Sequence, residues 1–143
     1  MRIILASKNQ DKIKEISKIL EETNIDLKNC NDVAIPEVEE TGTTFVENAI
    51  LKARSASIVT GLPSIADDSG IEVEHLLGKP GVLSARYSGE NATNESNNRK
   101  LLSKLDGVEF SNRKACYRCV IVFMRFPDDP FPVISSGSWE GYI

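Results

Sequence analysis

Two adjacent carboxylates, Asp67 and Asp68, follow the short apolar run Ser64-Ile65-Ala66, and Ser69, Gly70 and a second β-prone run, Ile71-Glu72-Val73, come after them. Desolvating an ionised carboxylate alone is costly, so a pair in this setting needs cations, hydrogen-bond donors or a metal. In an extended chain adjacent side chains point to opposite faces, so the two carboxylates diverge. Asp, Ser and Gly are also turn-forming residues, and a plain carboxylate turn between two strands is the alternative reading.

A second group of chemistry-bearing residues, Ser7-Lys8-Asn9-Gln10-Asp11-Lys12, lies near the N-terminus. It sits between a predicted strand over 2–6 and a predicted helix, with Asn9 placed to cap that helix. Strand, polar turn and helix start present free backbone N–H groups and the positive end of a helix dipole, a site suited to phosphate. Lys12 adds a mobile cation, and Ser7 and Asn9 add side-chain hydrogen bonds. Neither a Walker nor a G-x-G-x-x-G pattern occurs here. Glu37, Glu39 and Glu40 stand in an irregular acidic stretch over 32–41, for which a solvated loop is the ordinary reading. Lys52 either faces solvent or points back toward the carboxylates. Arg86 is a candidate for contact with an anion, whereas His75 has no paired Cys or His and reads as structural.

The elements that position these groups follow from periodicity. Ile13, Ile16, Ile19 and Leu20 recur at helical spacing with Lys14, Glu15, Lys18 and Glu21 outward, which predicts the first helix. A short strand is predicted over 25–27. Thr44-Phe45-Val46-Glu47 is a capping box, and the helix it starts runs to about Thr60, with Gly61 as its stop. Its alanines suit close packing on a sheet. Gly and Pro breaks shape the loop over 75–89. Thr93 caps a helix over 94–105 with Leu101, Leu102 and Leu105 inward and Gly107 ending it. A long strand over 114–126 turns at Pro127-Asp128-Asp129-Pro130 into a hairpin partner over 131–136. The β–α–β–α–β order implies an α/β layer architecture with function at strand ends.

At 143 residues the chain is read as one domain, long enough to bury about two thirds of its unfolded surface. Apolar residues make up 41% and charged residues 27%, as in ordinary globular proteins. No stretch approaches the roughly 18 apolar residues of a membrane span, and the N-terminal apolar run is too short for a signal peptide, so no membrane partner and a cytoplasmic location are expected. The net charge of −4 comes without a basic tail or stripe, which argues against a nucleic acid polymer. A small anion remains possible, because charges beyond about 8 Å are largely screened and local lysines decide. Cys30, Cys116 and Cys119 are odd in number, against a disulfide framework. Strand alternation sends Cys116 and Cys119 to opposite faces, against a redox or zinc pair.

Taken together, the motifs resemble the inosine/xanthosine triphosphate pyrophosphatase family, the HAM1-like house-cleaning nucleotidases. The resemblance rests on Leu5-Ala6-Ser7-x-Asn9-x-x-Lys12, Glu39-Glu40-Thr41-Gly42, Thr44-Phe45-x-Glu47-Asn48-Ala49-x-x-Lys52-Ala53, Ala66-Asp67-Asp68-Ser69-Gly70, Pro80-Gly81-Val82-x-Ser84-Ala85-Arg86-Tyr87 and Gly137-Ser138-Trp139-x-Gly141. It runs in register over essentially the whole chain. It implies a mixed twisted sheet flanked by helices, with an active site in a cleft between two lobes. The implied reaction is Mg²⁺-dependent hydrolysis of non-standard purine nucleoside triphosphates (ITP, dITP, XTP) to monophosphate and pyrophosphate, by a homodimer. By position, the segment Ser7, Lys8, Asn9, Gln10, Asp11 and Lys12 would bind substrate, with Ser7, Asn9 and Lys12 holding the triphosphate. Lys52 would face the phosphates and Ser69 would contact substrate. Glu40 and Asp68 would bind Mg²⁺ with support from Asp67, and Asp68 would accept the proton from water.

Two departures stand out. Lys8 occupies a position where many members have glycine. The chain also stops at Ile143 on a β-prone aromatic run, so it is expected to lack the family's C-terminal segment, whose Phe-Gly-Tyr-Asp-type loop and Ser-His-Arg-type segment read the base. The rival reading is therefore a truncated nucleotide-binding homologue with weak activity or none. A Maf-like pyrophosphatase would open on Ser-x-Ser followed by arginines, unlike Ser7-Lys8-Asn9 with Lys12. A non-enzymatic α/β scaffold would leave the ordered motifs unexplained.

Overall fold

The computed structural model describes all residues, Met1–Ile143. In chain order the elements are β1 (Arg2–Leu5), α1 (Gln10–Leu20), β2 (Asp26–Asn29), α2 (Phe45–Thr60), β3 (Ser64–Val73), β4 (Lys79–Pro80), α3 (Asn94–Lys104), β5 (Lys114–Met124) and β6 (Val133–Tyr142). The strand order is β2-β1-β3-β5-β6, with β4 paired to β3. Pairing is parallel between β1 and both β2 and β3, and antiparallel between β3 and β4, so the sheet is mixed. The α/β class and mixed sheet expected from the sequence are those observed. The chain forms two compact units, Met1–Asp67 with Val120–Ser135 and Asp68–Cys119 with Ser136–Ile143. No helix is long and apolar enough to cross a membrane.

The first unit is built on small residues. Ala49, Ala53 and Ala56 on α2 are fully buried, and Ala49 and Ala53 pack with Ala66 of β3 and Val122 and Met124 of β5. Alanine lets the helix backbone come close to the sheet. Ser64 Oγ uses that proximity to donate to the Ala53 carbonyl at 2.7 Å. The capping box is present in full, Thr44 accepting from the Glu47 N–H and Glu47 from the Thr44 N–H, and Gly61 ends α2 in the left-handed region at φ 67°. Ile3, Ile4 and Leu5 of β1 are buried as the central strand of the parallel trio.

In the second unit, Val73, Leu101, Leu105 and Ala115 form the core, with Ile71, Leu76, Tyr87, Val108 and Ile143 packed against it. Thr93 caps α3 by accepting from the Ser96 N–H, and Asn97, buried on the same helix, donates to the Ala85 carbonyl at 3.0 Å. That bond ties α3 to the Gly81–Arg86 3-10 turn.

Several local expectations change. Ile19 was placed on the inner face of α1 but is 74% exposed, and no residue of that helix is buried. At about 100° per residue, Ile13, Ile16 and Leu20 share one stripe while Ile19 falls roughly a quarter turn away. Leu102 is likewise exposed, because Leu101 and Leu105 already define the inward line of α3. The second strand is Asp26–Asn29 rather than 25–27, since its length is set by four pairs with β1, from Arg2↔Asp26 to Leu5↔Asn29, and not by its own apolar content. Asp67 to Gly70 is not a turn: β3 is unbroken over ten residues. Pairs at its two ends hold it extended, β1 at Ser64 and Ile65 and β4 at Glu72 and Val73, and β5 is its other neighbour in the sheet order.

The turn between β5 and β6 closes on Asp129, whose side chain is buried. Its Oδ2 accepts from the Arg125 N–H at 3.0 Å and Nε at 2.8 Å, and its Oδ1 from the Phe131 N–H at 3.0 Å. The Arg125 guanidinium, followed by those backbone donors, holds the Asp129 carboxyl far below the ordinary Asp value of 3.8. A depressed carboxyl contributes stability above its unfolded pKa and loses it as pH falls through the folded one. Thermal melts of Asp129→Asn are therefore expected to show a lower midpoint at neutral pH. Below about pH 4 the wild-type midpoint should fall toward the variant's, with a steeper acid dependence than the variant shows.

Candidate functional site

The chain leaves β1 through α1 to reach β2 on one side, then crosses through α2 to β3 on the other. In open α/β sheets such a switch of direction opens a crevice at the carboxyl ends of the diverging strands, where ligands bind. Leu5 pairs with Ile65, so Ser7 and Asp67 each stand two residues beyond the last pair. The predicted phosphate turn and the first carboxylate thus meet at one strand end.

Asn9 caps α1 as expected, its Oδ1 accepting from the Asp11 N–H at 3.0 Å and the Lys12 N–H at 3.3 Å. Ser7 Oγ accepts from the Asn9 N–H at 3.3 Å. Two of the N–H groups suited to a phosphate are therefore held by the protein's own cap, which an anion would have to share or displace. Lys8, Asn9, Gln10 and Asp11 are exposed, while Ser7 and Lys12 are half-buried.

Each lysine of the predicted site lies on a carboxylate. Lys12 Nζ bonds Asp67 Oδ2, and Asp67 is only 4% exposed. Lys52 Nζ donates to Glu40 Oε1 at 2.8 Å, resolving the open question of where Lys52 points. Lys8 Nζ donates to Glu37 Oε2 at 3.0 Å, but these side chains are 55% and 81% exposed, so that pair adds little.

Two anchors that the sequence reading passed over shape the loops. Cys30 Sγ donates to the Ser7 carbonyl at 2.9 Å, and the Cys30 N–H reaches the Leu5 carbonyl at 3.1 Å. Burial pushes the Cys30 thiol up, so it keeps the proton it donates. Asn48, fully buried on α2, accepts from the Gly42 N–H at 2.8 Å and so ties down the segment carrying Glu40. The sequence signal for Asn48 was its place one residue after the capping box; for Cys30 there was none beyond an unpaired cysteine.

In the second unit, Asp68 is 7% exposed at the start of the strand's outer half. Ser69 Oγ lies 3.3 Å from the Tyr117 hydroxyl, a neighbour that sequence reasoning did not name. Arg86 ends its 3-10 turn exposed, and His75 is exposed on the turn Glu74–Leu76. None of the three cysteines forms a disulfide.

Nowhere do three or more His, Cys, Asp or Glu side chains gather closely enough to cage a metal by themselves. A cage is not what Mg²⁺ takes: it is bound through one or two carboxylates plus waters and substrate phosphates. Hard carboxylate oxygens on Glu40, Asp67 and Asp68 suit that ion in kind.

The Ham1 family model matches residues 3–143. A protein of Thioalkalivibrio sulfidiphilus named dITP/XTP pyrophosphatase is 56% identical over 143 residues, which is 100% of this chain and 73% of that protein. A protein of the same name from Vibrio cholerae is 49% identical over 142 residues, covering 99% of this chain and 71% of its own. Among solved structures, a HAM1 protein from Coxiella burnetii superposes with a TM-score of 0.93 at 45% identity, over 100% of this chain and 73% of that one. The Ham1 protein of Staphylococcus aureus does so with 0.86 at 40% identity, over 100% and 72%. This chain belongs to the Ham1 family.

The Gly42–Asn48 contact leaves no room for a side chain. A Cβ at Gly42 would meet Asn48 Oδ1 and Glu47 Cβ, each at 2.6 Å. Gly42→Ala is expected to lower stability by about 1–3 kcal/mol, the usual cost of overpacking, measured by denaturant unfolding.

Proposed function

We propose that this chain hydrolyses non-standard purine nucleoside triphosphates, ITP, dITP and XTP, to the monophosphate and pyrophosphate. The observation that carries the reading is the pairing of Lys12 with Asp67 and Lys52 with Glu40 in a Ham1-family chain, the first pair at the sheet's switch point. Cations for a polyphosphate and hard oxygens for a divalent ion are present together. The dITP/XTP pyrophosphatase names of relatives at 49–56% identity support the substrate class.

Each residue has a role in this reading. Ser7 and the N–H groups at the start of α1 hold phosphate oxygens, with Lys12 and Lys52 supplying fixed positive charge. Ser69 contacts the substrate. Asp68 orients a water on the α-phosphorus and takes its proton as the new P–O bond forms. The bond from the α-phosphorus to its bridging oxygen breaks, and that oxygen leaves on pyrophosphate with the electron pair. Glu40 and Asp68, supported by Asp67, are the residues that would hold Mg²⁺. Bound there, the ion would neutralise charge on the departing phosphate oxygens.

A cytoplasmic location belongs to the same proposal and is supported by three cysteines that form no disulfide, the usual state of cysteine in a reducing compartment. So does the homodimer, which sedimentation velocity reads directly.

Pyrophosphate release from XTP or dITP with Mg²⁺, against ATP as control and EDTA as blank, tests the activity. Asp68→Asn is expected to lower kcat by roughly 10²–10⁴-fold, the range of a general base, while nucleotide affinity is retained. Turnover near the wild-type rate would place the base elsewhere. A wild-type chain that binds nucleotide without releasing pyrophosphate would favour the inactive homologue.

A further inference from the structure

The lysines and carboxylates assigned to the two ligands neutralise one another when neither ligand is bound. Asp67 has a side-chain exposure of 4%, and its Lys12 partner is 26% exposed; for Lys52 and Glu40 the values are 20% and 23%. Ion pairs this far from bulk water are screened less than surface pairs. The third pair, Lys8 with Glu37, is too exposed to contribute in the same way.

A polyphosphate needs the lysines, and a divalent cation needs the carboxylates. Each ligand therefore competes with a protein group that the other ligand requires. A polyphosphate that draws Lys12 and Lys52 away removes a positive charge from beside Asp67 and Glu40, which a divalent cation then supplies. A cation that engages the carboxylates first frees the lysines. We propose that the Lys12–Asp67 and Lys52–Glu40 pairs are exchangeable contacts that couple polyphosphate binding to divalent-cation binding. The coupling rests on the reading of this region as a polyphosphate subsite, and by linkage it acts equally in both directions. The competing account is that the pairs are fixed structural bridges that stay closed in every state.

The two accounts differ in size for the metal-free protein. A carboxylate away from the lysine changes anion binding in EDTA only through the charge it carries; one that occupies the lysine changes it further. Tripolyphosphate binding is measured by titration calorimetry in EDTA for the wild-type chain, Glu40→Gln and Asp67→Asn. Glu39→Gln is the control, because Glu39 is the exposed neighbour of Glu40 and the substitution changes net charge equally. Glu40→Gln and Asp67→Asn are expected to bind tripolyphosphate roughly fivefold more tightly than the wild type, with Glu39→Gln unchanged. In the reciprocal arm, Lys52→Met is expected to bind Mn²⁺ more tightly than the wild type without any anion, followed by electron paramagnetic resonance. Should burial at Asp67 make Asp67→Asn fold poorly by circular dichroism, Glu40→Gln on its loop carries the comparison. Equal or weaker anion binding by Glu40→Gln than by Glu39→Gln overturns the coupling and leaves the polyphosphate subsite standing. No tripolyphosphate binding by any of the chains overturns the subsite itself, and the coupling with it.

Discussion

The bond from Lys12 to Asp67 reconciles two demands that otherwise conflict. A carboxylate within a sheet strand loses its hydration, and Asp67 retains only 4% of its exposure. Without a cation that burial would be strongly destabilising, because removing one partner of a buried pair strands the other's charge. Lys12 reaches it from the first turn of α1, so the same contact pins the helix start to the first half of β3. The geometry of the phosphate turn and the burial of the carboxylate are thus one arrangement, and each requires the other.

Around this contact the loops are held mainly by backbone groups rather than by extensive packing. The Ser7 carbonyl takes the Cys30 thiol, and the Gly42 N–H gives to the Asn48 amide. The Thr43 and Thr44 N–H groups converge on Glu47 Oε2 at 2.9 Å, and the Thr44 and Thr43 hydroxyls, followed by these N–H donors, lower the Glu47 pKa. Anchors of this kind fix the path of the loops that carry the charged side chains.

Much of the fold was legible because the signals were local. The capping box at Thr44, the Asn9 and Thr93 caps and the Gly61 stop each depend on a few neighbouring residues, and each forms as read. The helix faces were read less well. Ile19 and Leu102 belong to apolar runs, but which member of a run points inward depends on where the sheet lies, and sequence spacing alone does not say. The stretch from Asp67 to Gly70 carries turn chemistry and still forms strand, because the sheet pairing of β3 as a whole outweighs local preference.

The sequence by itself determined which residues carry charge and at what spacing: two adjacent carboxylates, a capped lysine-bearing turn, and an acidic loop ahead of a capped helix. These are properties of short segments, and the family resemblance follows from their order. Only the tertiary structure decided the partners. Lys12 lies 55 positions from Asp67, a separation closed by the crossover of β1, α1, β2, α2 and β3, and Lys52 lies 12 from Glu40, a separation closed where the segment before α2 is tied back to Asn48. Ion pairing depends on distance and burial, both of which are set when strands pair and helices pack, and neither is written in any segment alone.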